Sequence, residues 1–355
     1  MTIEKKKANT KVVSVHYMRG IACIFVVLMH YGSFINNTFF FGIFGVDLFF
    51  IISGFIITLT TIGSDSATGF MGKRFWRIYP CFFIVWAISV PALYYNEPTV
   101  QIIKSLFLIH KEYSWHSAPG YGWNLIGPPW TLTYEFLFYA IMWLAMLISH
   151  KHRVVIASLF IVVSVFLLQL IFNNKFSFDS YVSAKITSDS FLQVPVKLLS
   201  TTILFEFIFG MLVAYFYKKL SKLRVNTAVV LSAVFISLSI YLFITKPNVG
   251  FGFKGFFWHS SLLFTGILLL EPILIKKMNS IFLFLGDISF TLYLVHFPLM
   301  KIFLTYIPTL AEKEHKIFAF ICIIIVSFLA SWLLHKYVEL PIMKRKHRSI
   351  NKTAA

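Results

Sequence analysis

The chain has 355 residues, 58% of them hydrophobic and 13% charged, with a net charge of +18 and 41 phenylalanines. So much apolar surface cannot be hidden in a soluble domain of this length, and repeated apolar runs of about 20 residues define a polytopic helical membrane protein. The basic excess does not imply nucleic acid, because it follows the connections between the apolar runs rather than forming a patch.

Residues 1–11 are Lys-rich and lead into the first run, 12–31, with no small-residue cleavage site after it. That pattern reads as a retained first span rather than a removed signal peptide. The run carries Arg19 and His30, eleven residues apart. Eleven residues is about 20° past three helical turns, so both side chains share one face, about 16 Å apart along the axis. An arginine inside a span costs ~2.5–3.5 kcal/mol on insertion scales and is a functional candidate by default. Snorkelling to the interface accounts for either residue alone more easily than for both on one face.

Ten spans are predicted: 12–31, 41–62, 80–96, 130–148, 154–172, 199–217, 227–245, 256–274, 281–304 and 317–338. The fold class is therefore all-α, a membrane helix bundle with one domain over 12–338 and a basic tail over 339–355. Pro91 interrupts the third span, and residues 102–109 are apolar but too short to cross, which suits an interfacial or re-entrant piece. Connections 1–11, 63–79, 149–153, 218–226, 275–280 and 339–355 hold 20 Lys and Arg, against 9 in 32–40, 97–129, 173–198, 246–255 and 305–316. The positive-inside rule then puts both termini in the cytoplasm, as an even number of spans requires, and turns the two longest connections outward. Cys23, Cys81 and Cys322 all fall in apolar runs with no disulfide or zinc spacing, and no metal site is expected.

With direction assigned, His30, Asp47, Glu135, Glu206 and His296 all fall in the outer leaflet on five different spans. Such groups should face a common polar cavity or pair with one another. Toward the cytoplasm, Arg74 and Arg77 are three apart in Gly72–Pro80 and share a face if that segment is helical. They suit phosphate, although a topology anchor with Trp76 and Tyr79 is the plainer reading. Asp47 and Gly54, seven apart, share a face that permits close helix approach. Thr131 and Glu135 lie one turn apart, and Ser289, Tyr293 and His296 form one stripe that Asp287 is placed to cap.

These residues resemble the integral-membrane acyltransferase family 3. The resemblance runs through the Arg19–His30 spacing, Gly45-Val46-Asp47 with Phe49-Phe50 and Ser53-Gly54-Phe55, and Arg74-Phe75-Trp76-Arg77-Ile78-Tyr79-Pro80. It continues through Trp130 to Glu135, Ser289-Phe290 to Tyr293-Leu294 with His296, and Glu339-Leu340-Pro341, in family order over about 330 residues. Singly each motif is weak; in this order the set is specific. The resemblance implies ten membrane helices in a bacterial inner membrane. It also implies transfer of an acyl group, commonly acetyl, from cytoplasmic acyl-coenzyme A to a hydroxyl of an extracytoplasmic carbohydrate, such as a lipid-linked O-antigen unit or another surface polysaccharide. A chain ending 14 residues after Pro341 is expected to be a stand-alone member without a secreted domain.

Acyl transfer needs a base, a stabiliser for the oxyanion and positioning. His30 is the candidate base, with Glu135 or Asp47 to orient it, and Arg19 supplies a permanent charge for the donor. Arg74 and Arg77 are candidate donor-phosphate ligands. Ser289, Tyr293, His296 and Glu206 are secondary candidates, Ser289 and His296 as possible acyl carriers. The competing class is a proton-coupled transporter or flippase, since intramembrane His, Asp and Glu mark those too. No paired half-repeats with matching broken segments support it.

Overall fold

The computed structural model describes residues 12–35, 39–63, 66–113, 117–186, 193–246, 249–312 and 314–344. The expected N-terminal tail, 1–11, and residues 345–355 of the expected tail 339–355 lie outside the described residues. No β-strand occurs among the described residues, and the chain is a bundle of α-helices. They are α1 Val13–His30, α2 Phe44–Thr60, α3 Ala67–Leu93, α4 Thr99–Leu106, α5 Trp130–Ile148 and α6 Arg153–Asn173. Then come α7 Gln193–Leu199, α8 Phe205–Leu220, α9 Val225–Thr245, α10 Phe257–Leu269, α11 Glu271–Leu274, α12 Ser280–Tyr306 and α13 Lys316–Leu334.

Among the described residues, eight helices are long and apolar enough to cross a membrane, and α7 with α8 forms a ninth, bent by 56°. The predicted eighth span, 256–274, holds only the 13-residue α10 and the short α11. Two predicted boundaries and one predicted cap also differ. The connection 63–79 is helical, because α3 starts at Ala67 under a Ser66 cap and runs through both Pro80 and Pro91. The last helix passes through a π-turn at His335–Glu339 and continues to Lys344, into the expected tail. Asp287 does not cap α12: Asn279 does, accepting from Ile281 and Phe282, while Asp287 pairs with His16 at 3.1 Å.

The core rests on two close helix pairs. Gly54 of α2 meets the Phe207 backbone of α8, and Gly210 of α8 meets Ile51 of α2, so no side chain separates the helices. Gly20 of α1 and Gly286 of α12 do the same for the second pair. Glu271 then pins the start of α1, accepting the Val13 and Ser14 amides at 2.8 and 2.6 Å. Helices α6 and α9 are mostly exposed apolar surface, as lipid-facing helices should be.

The connections 97–129, 173–198 and 246–255 converge at one end of the bundle. Trp130 packs on Phe251, Tyr181 on Phe251 and Phe178 on Phe253, while the Lys197 ammonium donates to the Tyr113 carbonyl. His110 is stacked on Tyr113 inside this cap, and burial pushes its imidazole down to about 4.

Candidate active site

A cleft opens between α1, α2, α3, α5 and α12. Arg19, Arg74 and Arg77 line it with Glu135, Tyr139, Ser53, Thr131, Ser289 and Tyr293, over walls of Phe49, Phe50 and Ile78. Residues from four predicted spans and from the supposed connection thus meet in one place. Arg74 and Arg77 reach it because α3 begins 13 residues earlier than the predicted third span, so their shared helical face is real.

Each charged group in the cleft has a defined setting. Arg74 donates to Thr60 Oγ1 at 2.6 Å and lies over the Phe70 and Tyr139 rings, 5.5 and 5.8 Å from their centroids. Arg77 has no hydrogen bond or ion pair among the described residues and is half-buried. Arg19, also half-buried, feels Arg77, Glu339 and Glu135 as its charged neighbours. Glu135 accepts from Ser53 Oγ at 3.2 Å and from the Tyr139 hydroxyl, one turn further along α5. The cleft therefore carries three guanidinium groups against Glu135, an anion site with one internal counter-charge.

At its other end the Tyr293 hydroxyl donates to the Pro128 carbonyl at 2.6 Å and meets Thr131 Oγ1 at 2.7 Å. One turn beyond Tyr293 on α12, His296 meets His30 of α1, with Nε2 3.3 Å from Nδ1. The His30 Nδ1 also faces the Val26 carbonyl at 2.9 Å, and no hydrogen bond to its Nε2 occurs among the described residues.

Of the two arrangements expected for the outer-leaflet groups, pairing is what forms: Asp47 with Glu206 and His30 with His296, rather than one common cavity. Neither carboxylate orients His30, whose described partners are Val26 and His296. Asp47 and Glu206 lie outside the cleft lining, fully buried against each other, and Asp47 Oδ1 accepts the Gly252 amide at 2.7 Å. The reason is angular. Asp47 sits on the face of α2 that packs on α8, while Val46, Phe49 and Ser53 of the same helix face the cleft. Ser289 lines the cleft, but its hydroxyl donates to the Gly286 carbonyl at 2.8 Å and touches no base among the described contacts. An acyl-carrier role for it has no geometric support.

Sequence reasoning passed over Tyr139, and it quoted Ser53 and Glu339 only within motifs, with no role assigned. Tyr139 stands four residues after Glu135, the one-turn spacing that marks a paired group. Glu339 stands four after His335, which approaches it at 2.7 Å across the π-turn.

The acyltransferase-domain family model matches residues 12–336. Among curated proteins, the exopolysaccharide production protein ExoZ of Rhizobium meliloti is 28% identical over 278 residues, 76% of this chain and 80% of that one. The acyltransferase MdmB of Streptomyces mycarofaciens is 30% identical over 106 residues, 28% of this chain and 27% of its own. A Staphylococcus aureus protein named provisionally as an O-acetyltransferase is 24% identical over 98% of this chain, which spans 61% of that protein's length. No solved structure matches.

Proposed function

The chain belongs to the acyltransferase-domain family, and on that premise we propose that it carries an acyl group, acetyl by default, from cytoplasmic acyl-coenzyme A to a hydroxyl of a carbohydrate across the membrane. Family membership makes it an acyltransferase and weighs against the transport alternative. In this reading both termini are cytoplasmic, the membrane is a bacterial inner membrane, and the acceptor is a surface polysaccharide or its lipid-linked precursor. The names of the rhizobial and staphylococcal relatives support such an acceptor and an O-acetyl product.

The observation that carries the reading is the cleft: Arg19, Arg74 and Arg77 at one end, Tyr293 at the other, and the His30–His296 pair one turn further. Guanidinium groups match the phosphates of coenzyme A in charge and fork geometry. A narrow thioester arm suits the remaining length. His30 Nε2 takes the acceptor proton while the acceptor oxygen attacks the thioester carbonyl. The tetrahedral intermediate then expels the coenzyme A sulfur, which receives that proton, leaving an ester and a free thiol. Arg19 contributes a fixed positive charge on the donor side.

The test uses protein reconstituted in nanodiscs with acetyl-labelled acetyl-coenzyme A and the glycolipid fraction of the producing strain. Label is expected in an alkali-labile glycan ester, dependent on the protein. Absence of label from every glycan fraction, with envelope glycan masses unchanged on gene deletion, would overturn the proposal.

A further inference from the structure

Three groups meet around one ring at the far side of the histidine pair. The Phe297 ring stands at 78° to that of His30, with centroids 5.3 Å apart. The Lys301 ammonium lies 5.6 Å from the centroid of the same ring, one turn further along α12. Gly127, at φ +88°, brings the turn before α5 so close to this ring that a side chain there would collide with it. Lys301 is exposed, and among the described residues no carboxylate lies within ion-pair distance of it. Two other cations at this end are already paired, Lys111 with Glu97 at 2.9 Å and Lys254 with Asp179 at 3.5 Å.

A lysine that only anchors the helix would send its ammonium outward to the headgroups. Lys301 instead folds back over the ring that abuts His30, which leaves a cation with free hydrogen-bond donors beside an imidazole with an open nitrogen. Building on the acyl-transfer reading above, we propose that Lys301 is the acceptor-binding cation: it pairs with an anionic group of the glycan and so holds the reacting hydroxyl against His30. The anion is either the phosphate of a lipid carrier or the carboxylate of an acidic sugar. The same ammonium recognises both, by charge-assisted hydrogen bonds.

The experiment compares wild type, Lys301→Met and Lys301→Arg in nanodiscs. Three acceptors are supplied: a neutral oligosaccharide, the same oligosaccharide bearing a uronate, and the same bearing an isoprenyl phosphate. Wild type should prefer an anionic acceptor, and the preference should shrink as salt rises. Lys301→Met should raise the KM for that acceptor by about tenfold or more, with Lys301→Arg restoring most of it. The KM for acetyl-coenzyme A should stay put in all three proteins. Preference for uronate assigns the acidic sugar, and preference for phosphate assigns the carrier. Equal use of neutral and anionic acceptors by wild type, or an unchanged acceptor KM in Lys301→Met, overturns the assignment. The wild-type arm decides even if the methionine variant does not fold. Wild type that acetylates none of the glycans would instead overturn the acyl-transfer reading itself.

Discussion

His296 Nε2 lies 3.3 Å from His30 Nδ1, and this contact decides which nitrogen of each ring is basic. Each Nδ1 faces a carbonyl one turn earlier, Val26 at 2.9 Å for His30 and Leu292 at 3.1 Å for His296. A carbonyl only accepts, so both Nδ1 atoms carry hydrogen. The His30 Nδ1–H is then shared between Val26 and His296 Nε2, and the lone pair of His30 Nε2 is left open. His296 holds the other ring and spends its own lone pair doing so.

The two histidines should therefore fail differently. His30→Ala should lower transfer by roughly 10²–10⁴-fold, the range for a missing general base. His296→Ala should lower kcat less and shift the pH–rate profile, because His30 keeps its open nitrogen but loses a neighbour. Transfer rates at matched protein levels, measured across pH, check this. Equal losses with identical pH profiles would argue that both rings react with substrate.

The arginines make a second pair with unequal roles. Arg77 has no described protein partner, whereas Arg74 also ties α3 to Thr60 of α2. Arg77→Ala should raise the KM for acetyl-coenzyme A about tenfold or more with little change in melting temperature, on the scale of a lost charge-assisted contact. Arg74→Ala should raise that KM and lower the melting temperature. Repeating the titration with acetyl-coenzyme A lacking its 3′-phosphate separates phosphate binding from a general effect of charge.

Helix class, the shared face of Arg74 and Arg77 and the Ser289–Tyr293–His296 stripe were all legible in the sequence, because helical periodicity fixes which residues share a face. Periodicity does not say which neighbour a face meets. Asp47 illustrates the difference: its depth in the span was readable, but Gly54 and Gly210 turn it toward Glu206 and away from His30. Helix starts were the second blind spot. Hydropathy ends where charge begins, so Lys73, Arg74 and Arg77 looked like a connection, although Ser66 caps a helix that includes them. The pairing of Glu339 with His335 stayed hidden because a π-turn changes the register over the last residues of that helix.

The aromatic cap carries a pH dependence of its own. His110 is buried, its Nε2 lies 3.2 Å from the Trp130 carbonyl, and its pKa falls to about 4 from an ordinary 6.5. Folding thus favours the neutral ring. Its contribution is complete above the unfolded pKa and is lost as pH falls from about 6.5 toward about 4, on the order of 3 kcal/mol at most. The melting temperature of the wild type should drop over that window more steeply than that of His110→Phe. Parallel slopes for the two proteins would show that protonation of His110 does not open the cap.

Among the described residues, Glu135 and Glu339 are the carboxylates whose charge acts on Arg19. Glu135 lines the cleft with Tyr139 and Ser53 as donors, so it is a neighbour of any anion bound there. Glu339 is buried in the π-turn against His335 and does not line the cleft. Its effect on catalysis must pass through the arginine, which makes it a positioning residue. Glu135→Gln keeps the two donors partnered but removes the counter-charge, so acetyl-coenzyme A should bind more tightly while transfer slows. Glu339→Gln should shift the donor KM the other way: Arg19 loses a buried counter-charge, and the KM for acetyl-coenzyme A rises several-fold. Glu339→Asp should recover part of that loss, and Tyr139→Phe should mimic part of the Glu135 effect without touching the Glu339 one. Steady-state kcat and KM for the donor in these four variants decide the matter. A common fall in kcat at constant KM in both glutamine variants would mean that neither carboxylate steers Arg19 toward the donor.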